Sequence, residues 1–501
     1  MEIKRIAFLN PQGNFDPEDS YWTEHPDFGG QLVYVKEVAI AMAEEFGVEV
    51  DILTRQIQDD DWPEFSARYD SYSESDKVNI VRLSFGGEQF LNKEKLWPYL
   101  KDYVQEIQKY YAEIGEMPDI VTTHYGDGGL AGAMLAEETG IPFTFTAHSL
   151  GAQKMDKLNL NQSNLEEMLA RFNFHLRIAA ERISMNNSAT NFVSTSQEKN
   201  SQYSHRTYAG TVDLEDDRDF AVVPPGVNTE IFNPDSGPED EKIAAKFEKM
   251  LERDIDQARR ALPGVIAASR LDSKKNHLGL VRAFANNTEL QSRTNLVITL
   301  RGIDNPFTDY SQASGEEQEI LDQIMEIIAE NDLRGKVTMF SLNSQQELAS
   351  IYRVLAAKKS VFALTAFYEP FGLAPIEAMA SGLPVVATEN GGPEEIMNDG
   401  KKHYGILVDP EDPEDIAKGI LEVYLGAEGW EYYHEKGLER VKSTYTWKKT
   451  AEGYLTRLEN IIENREKYSV DNKMKIPEYF YTGKNETELI IELQENYFNN
   501  G

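Results

Sequence analysis

Short apolar runs separated by longer amphipathic stretches recur along almost the whole chain, and this alternation limits the fold more than any other feature of the sequence. Runs of that length suit strands buried on both faces, and the stretches between them suit helices that carry the chain back across a parallel sheet. In the first half the predicted strands are Ile6–Leu9, Val48–Leu53, Val78–Leu83, Ile120–Thr123, Phe143–Thr146, Asn191–Ser194 and Phe220–Val223, with helices over Gln31–Phe46, Leu130–Glu138 and Leu165–Asn186. In the second half they are Gly264–Ala268, Leu296–Leu300, Val337–Phe340, Val361–Leu364, Val385–Ala387 and Gly405–Val408, with helices over Glu316–Asn331 and Gln345–Ala357. Consecutive prolines forbid helix, so Val223-Pro224-Pro225-Gly226-Val227 marks the boundary. A chain of 501 residues exceeds what one core usually holds, about 250–300 residues. The expectation is two α/β domains: residues 1–225, completed by helices from 452–501, and residues 226–451. The C-terminal stretch Thr450–Glu463 has a helical pattern, and Tyr479, Phe480 and Tyr481 in the polar tail need something to pack on.

Charge narrows the partners. Fifty Lys and Arg against 85 Asp and Glu leave a net charge of −35, which repels nucleic acid and anionic membranes at long range. The acid is read as a solvated, halophile-like surface, with Asp213–Asp219 and Asp235–Glu241 as solvated loops. Any anionic ligand then needs a local basic pocket. No Cys is present, so disulfides, thiolate nucleophiles and Cys metal sites are excluded. Met1-Glu2-Ile3-Lys4-Arg5 runs straight into a strand-like segment and no apolar run approaches a membrane span, so a soluble cytoplasmic protein without a signal peptide is expected. The sequence lacks a P-loop, a His-Glu-x-x-His pattern and a Gly-x-Ser-x-Gly elbow, which leaves hydrolase and triphosphatase chemistry without an anchor.

The densest motif is Phe-Tyr-Glu-Pro-Phe-Gly-Leu-Ala-Pro-Ile-Glu-Ala-Met-Ala-Ser-Gly, residues 367–382. A strand ends just before Glu369 and Gly372 opens a helix, whose free amides and positive dipole end suit a phosphate. Glu369 and Glu377 can then hold sugar hydroxyls; as a bare pair they read more readily as solvent-facing, and it is the surrounding string that reverses that weight. Arg270 and Lys275, after another strand, read either as a diphosphate clamp or as surface cations. Leu300-Arg301-Gly302 reads as part of the same pocket or as a turn, and Ser344 in Asn343-Ser344-Gln345 reads as a helix N-cap before a base contact. In the first half, Asn10-Pro11-Gln12-Gly13 and Phe28-Gly29-Gly30-Gln31 offer backbone that a ligand can approach closely. His148, in Ala147-His148-Ser149-Leu150-Gly151, stands at the carboxyl end of a strand, where open α/β sheets bind ligands. Lys154 and Arg177 lie downstream, where two converging cations suit a phosphorylated ligand; read alone they are helix-surface charges. Lys93 and Tyr125 add possible sugar contacts.

The Glu-Pro-Phe-Gly-Leu and Glu-Ala-Met-Ala-Ser-Gly strings resemble the donor-site motif of the retaining glycosyltransferases of family 4. That resemblance implies a GT-B fold, two facing Rossmann-like domains with a cleft between them. The Asn-Pro-Gln-Gly, Gly-Gly-Gln and His-Ser-Leu-Gly loops resemble those of the sucrose-phosphate synthases and sucrose synthases, and the likeness runs from Asn10 to about Trp447. It implies glucosyl transfer from UDP-glucose to fructose 6-phosphate, with no required cofactor or metal. Implied donor contacts are Gly30, Arg270, Lys275, Gly302, Glu369, Gly372, Leu373, Ala374 and Glu377; Glu369 takes sugar hydroxyls, Glu377 the ribose, and Arg270 and Lys275 the diphosphate. Implied acceptor contacts are Gly29, Gly30, Gln31, Lys93, Tyr125, Ser149, Lys154 and Arg177. The catalytic set is His148, Arg270, Lys275 and Glu369, with His148 a hydrogen-bond donor near the donor sugar's 6-hydroxyl and not a base. Leu176 departs from the pattern, since many relatives carry a second Arg there. A sucrose synthase or mannosylfructose-phosphate synthase activity is the neighbouring alternative, and a sugar-nucleotide epimerase or a non-enzymatic sugar-binding protein the remote ones.

Overall fold

The computed structural model describes residues 3–22, 25, 27–313, 315–469 and 472–499. The chain divides into two compact units, Met1–Pro225 with Trp447–Gly501, and Gly226–Thr446. The first is built on an eight-stranded sheet of β1 (Arg5–Leu9), β2 (Glu49–Arg55), β3 (Tyr69–Ser71), β4 (Val78–Leu83), β5 (Ile120–His124), β6 (Phe143–Thr146), β7 (Asn191–Val193) and β8 (Phe220–Val222), in the order 3-4-2-1-5-6-7-8. Every neighbouring pair is parallel except the short edge strand β3, which runs antiparallel to β4. In the central strand β1, Ile6, Ala7, Phe8 and Leu9 are all fully buried. Side chains from both faces therefore meet helices, which is why these strands read as continuous apolar runs and not as alternating ones.

The second unit holds a six-stranded all-parallel sheet of β9 (Gly264–Ala268), β10 (Asn295–Leu300), β11 (Val337–Ser341), β12 (Val361–Leu364), β13 (Val385–Thr388) and β14 (Ile406–Val408), in the order 11-10-9-12-13-14. Among the described residues, no helix of either unit is long and apolar enough to cross a membrane.

Four expectations change. Leu165–Asn186 is two helices, Leu165–Phe172 and Phe174–Asn187, because Asn173 adopts φ 48°; asparagine tolerates this left-handed turn, and its amide donates to Glu94 O at 2.8 Å. The helix expected over Leu130–Glu138 begins at Tyr125, running through Gly126, Gly128 and Gly129. Those glycines do not break it; they let it lie close to its neighbours, since a Cβ at Gly128 would stand 2.7 Å from Leu9 O and one at Gly129 would overlap the Ser184 hydroxyl. The segment Asp235–Glu241 is only partly a loop: a helix starts at Asp240, whose carboxylate accepts from Arg353 Nε at 2.9 Å and Nη2 at 2.6 Å. Finally, residues 447–451 belong to the first unit and not the second. The helix Trp447–Glu463 packs on Gly30–Phe46, with Ala451 and Tyr454 buried and Tyr34 donating to the Tyr454 hydroxyl at 3.1 Å. Described residues further along the tail also pack on this unit: Phe480 is buried with its ring centroid 6.4 Å from that of Trp97, and Met474 exchanges hydrogen bonds with Asn187 at 2.8 and 2.9 Å.

Candidate functional site

In the second unit the loop after β12 carries Glu369 to Gly372, where φ is 113° and the helix Leu373–Ala380 starts. Gly372 supplies no side-chain cap, so the amides of Leu373 and Ala374 have no intrahelical acceptor and face outward from a positive helix end. The loop is stapled to a second one. Glu369 N donates to Asn390 O at 3.1 Å, Gly392 N to Glu369 O at 2.9 Å, and the Asn390 amide to Phe367 O at 3.1 Å. A Cβ at Gly391 would overlap Glu369 O and one at Gly392 would overlap Phe371 O, so only glycine fits at either place. Sequence reasoning passed over Asn390-Gly391-Gly392; a Gly-Gly-Pro string directly after a strand was the available signal.

The loop after β9 meets the same place. Lys275 Nζ donates to Glu369 Oε2 at 2.6 Å, its backbone N–H is capped by the Asp272 carboxylate at 3.1 Å, and Phe367 N donates to Lys274 O at 2.9 Å. Arg270, on this loop, is exposed and makes no ion pair among the described residues. Glu377 lies partly enclosed in the helix, and burial pushes its carboxyl up to about 7. Gly302 sits at φ 73° in an exposed turn after β10. Ser344 is an N-cap, its hydroxyl accepting from Glu347 N at 3.1 Å.

In the first unit Lys93, Tyr125, Lys154 and Arg177 line one pocket, together with Glu94, Trp97 and Phe172. Lys154 Nζ stands 3.9 Å from the centroid of the Phe172 ring and the Arg177 guanidinium 4.7 Å from that of Tyr125. Burial, and then the charges of Arg177 and Lys93, lower the Lys154 ammonium from its ordinary value. Asp27 accepts from Lys93 through its side chain at 2.7 Å and its backbone N–H at 3.2 Å. Arg177 is buried, and it is pinned: Nε donates to Glu181 at 2.8 Å, and Nη2 to the Ser149 carbonyl at 2.9 Å and hydroxyl at 3.1 Å. Glu181 also accepts from Gly151 N at 3.0 Å and from the Tyr208 hydroxyl. Glu181 and Tyr208, which fix the His-Ser-Leu-Gly loop, carried no sequence signal of their own.

His148 has φ 57°, and Ser149 N donates back to Ala147 O at 2.6 Å. Its Nε2 lies 2.9 Å from Nδ1 of His124, and burial lowers its imidazole to about 3. Gly29 and Gly30 open the helix Gly30–Phe46, and a Cβ at either would meet nothing within 4 Å. The protein alone therefore does not need glycine there. Gln31 Nε2 donates to Asn10 Oδ1 at 2.7 Å, which ties the two glycine-containing loops of the first unit together.

The chain matches two described families: "Glycosyl transferases group 1" over residues 248–440 and "Sucrose synthase first GT-B domain" over residues 2–255. It is 45% identical to a probable sucrose-phosphate synthase of Thermosipho melanesiensis, over 91% of this chain and 96% of that one. It is 32% identical to the sucrose-phosphate synthase of Spinacia oleracea over 90% of this chain, spanning 47% of the spinach protein. Among solved structures, the sucrose-phosphate synthase of Thermosynechococcus elongatus superposes with a TM-score of 0.60 at 23% identity, covering 92% of this chain and 99% of that one.

Proposed function

Because the chain belongs to the sucrose-phosphate synthases, glycosyltransferases of the GT-B fold, we propose that it transfers glucose from UDP-glucose to fructose 6-phosphate with retention, giving sucrose 6-phosphate and UDP. The observation that carries the acceptor assignment is the pocket holding Lys93, Lys154 and Arg177 together. In a protein of net charge −35, three cations lining one pocket, with the Lys154 ammonium lowered by burial first and by Arg177 next, form an arrangement that a phosphate dianion stabilises. Tyr125 and Ser149 then stand beside the sugar, with Gly29, Gly30 and Gln31 giving backbone that the substrates approach closely.

On the donor side, Lys275 spends one N–H on Glu369 and has two left for diphosphate oxygens. Arg270 and the amides of Leu373 and Ala374 complete the anion site, Gly302 and Gly372 leave it open, Glu369 orients the glucose hydroxyls and Glu377 those of the ribose. The bond from C1 to the phosphate oxygen breaks, the leaving diphosphate is stabilised by Arg270 and Lys275, and C1 takes on oxocarbenium character. The fructose 2-hydroxyl attacks C1 from the face the phosphate leaves, and its proton passes to the departing phosphate oxygen. His148 donates a hydrogen bond to the donor sugar, and no protein base is needed. This reading requires no metal. It also keeps the enzyme in the cytoplasm and treats the acidic surface as a halophile-like solvating layer.

The test is to supply UDP-glucose with fructose 6-phosphate or with free fructose and to measure UDP release and the disaccharide formed, repeating with ADP-glucose and a mannosyl donor. Turnover is expected with the phosphorylated acceptor and the glucosyl donor. Equal or better turnover with free fructose would refute the acceptor assignment.

A further inference from the structure

His124 ends β5 and is fully buried; it pairs in register with Thr146 at the end of β6, two residues before His148. Its Nδ1 and the Nε2 of His148 are 2.9 Å apart, so one proton lies between them. Its other nitrogen, Nε2, is buried with no hydrogen-bond partner among the described residues, and the His124 ring has those of Phe8 at 5.3 Å and Tyr34 at 6.3 Å between centroids. Two arrangements of the neutral pair exist. If His148 donated from Nε2, the His124 proton would sit on its own Nε2 as a buried N–H without an acceptor. If His124 donates from Nδ1, that buried nitrogen is a bare lone pair. Orphaned buried N–H groups are the rarer and more costly of the two, so the second arrangement holds. It places the remaining proton of His148 on Nδ1, which makes no hydrogen bond among the described residues. Free neutral histidine in water prefers the opposite tautomer.

We infer that His124 is a positioning residue that fixes His148 as the Nδ1–H tautomer, so that the nitrogen left for the substrate is a donor and not an acceptor. The inference rests on the reading of His148 as a donor to the sugar. The Tyr34 ring, edge-on at 5.1 Å from His148, and the left-handed backbone at His148 hold the ring plane, while His124 sets where the proton resides.

Labelling the full chain with 15N-histidine and recording long-range 1H–15N correlations separates protonated from bare ring nitrogens, the His148 signals being assigned by their loss in His148→Gln. The expected spectrum has His148 protonated at Nδ1. In His124→Phe the His148 proton should move towards Nε2 and kcat should fall by roughly 10- to 100-fold with KM for UDP-glucose little altered. His124→Asn, whose amide N–H stands near the Nδ1 position, should restore the tautomer and most of the rate. A wild-type His148 protonated at Nε2 overturns the inference, and this measurement decides even if His124→Phe does not fold. A slow His124→Phe enzyme that keeps the Nδ1–H tautomer also overturns it, because His124 would then act only through packing. An unchanged kcat in His148→Ala would instead defeat the donor role of His148, leaving the spectra to decide the tautomer separately.

Discussion

Lys154→Met is the sharpest probe of the acceptor pocket. The substitution keeps the stem that packs along Phe172 and removes the ammonium, which stands 3.9 Å from the ring centroid. Its folding consequence is small: a cation–π contact is worth ~0.5–1 kcal/mol, and deleting the charge removes repulsion from Arg177 and Lys93 along with the opposing attraction to Glu94. Its binding consequence is larger. A hydrogen bond to a charged group contributes ~1.5–3 kcal/mol, which at 1.36 kcal/mol per tenfold is a rise of about 10- to 150-fold in KM for fructose 6-phosphate. KM for UDP-glucose should stay put, and turnover of free fructose should not fall. The pH dependence follows from the sign of the shift. The Lys154 ammonium is lowered by burial first and by its cationic neighbours second, and a bound phosphate raises it again. KM for the phosphorylated acceptor should therefore climb on the alkaline side at a lower pH than an ordinary lysine would give, and Lys154→Met should flatten that limb. Steady-state kinetics with both acceptors across pH checks this. A variant that raises KM equally for fructose and fructose 6-phosphate would refute the reasoning, because no phosphate contact would then be involved.

Arg177→Ala should behave differently, for it breaks a buried pair whose side chains are 7% and 1% exposed. Stranding the Glu181 charge costs ~3–5 kcal/mol, so chemical denaturation should register a large loss of stability, and Arg177→Ala with Glu181→Gln should lose less than the sum of the single changes. Glu377 has its folded carboxyl raised from 4.5 to about 7. The folded state thus binds more protons than the unfolded chain between those values, and stability should fall as pH rises from about 4.5 to about 7, by up to ~3 kcal/mol. Glu377→Gln should abolish that slope, stabilise the protein at pH 8 and weaken donor binding, as pH-dependent denaturation and a UDP-glucose titration would show. Turnover should be unaffected by EDTA if, as proposed, Arg270 and Lys275 carry the leaving-group charge; a loss restored by a divalent ion would contradict that assignment.

The two sheets were legible, apart from the antiparallel edge strand β3, whose Tyr69 and Ser71 are exposed, because strands buried on both faces write themselves as apolar runs, whichever element each later pairs with. Helix limits were less so. The start at Tyr125 depends on glycines fitting against Leu9 and Ser184, and the break at Asn173 on a carbonyl of Glu94 far away in sequence. Neither partner is visible locally. The site divides in the same way. Residue type and spacing left Lys275, Glu369, Lys154 and Arg177 open between ligand contacts and surface charges, and the resemblance of their motifs picked them out, whereas the Lys275 to Glu369 pair joins positions 94 apart and the His124 to His148 pair joins two strand ends whose adjacency only the sheet order supplies. At Asn390-Gly391-Gly392 the Gly-Gly-Pro string was a signal, but it reads as any turn until the loop of Glu369 to Phe371, which those glycines admit, is in place.

The return of Trp447–Glu463 to the first unit gives the order of synthesis a meaning. Residues 226–446 form one continuous stretch and can fold while the ribosome is still working. The unit that emerges first has all eight of its strands but not its last helices, so the face of Gly30–Phe46 that receives Ala451 and Tyr454 has no cover until the ribosome passes them. Tyr454 also bonds Thr146 at 2.8 Å and Tyr34 at 3.1 Å, and Tyr34 is the ring against which His148 rests. A nascent or truncated chain ending at Thr446 thus has the second unit whole, while Glu181 and Tyr208 hold the His148 loop without the tyrosine that braces Tyr34.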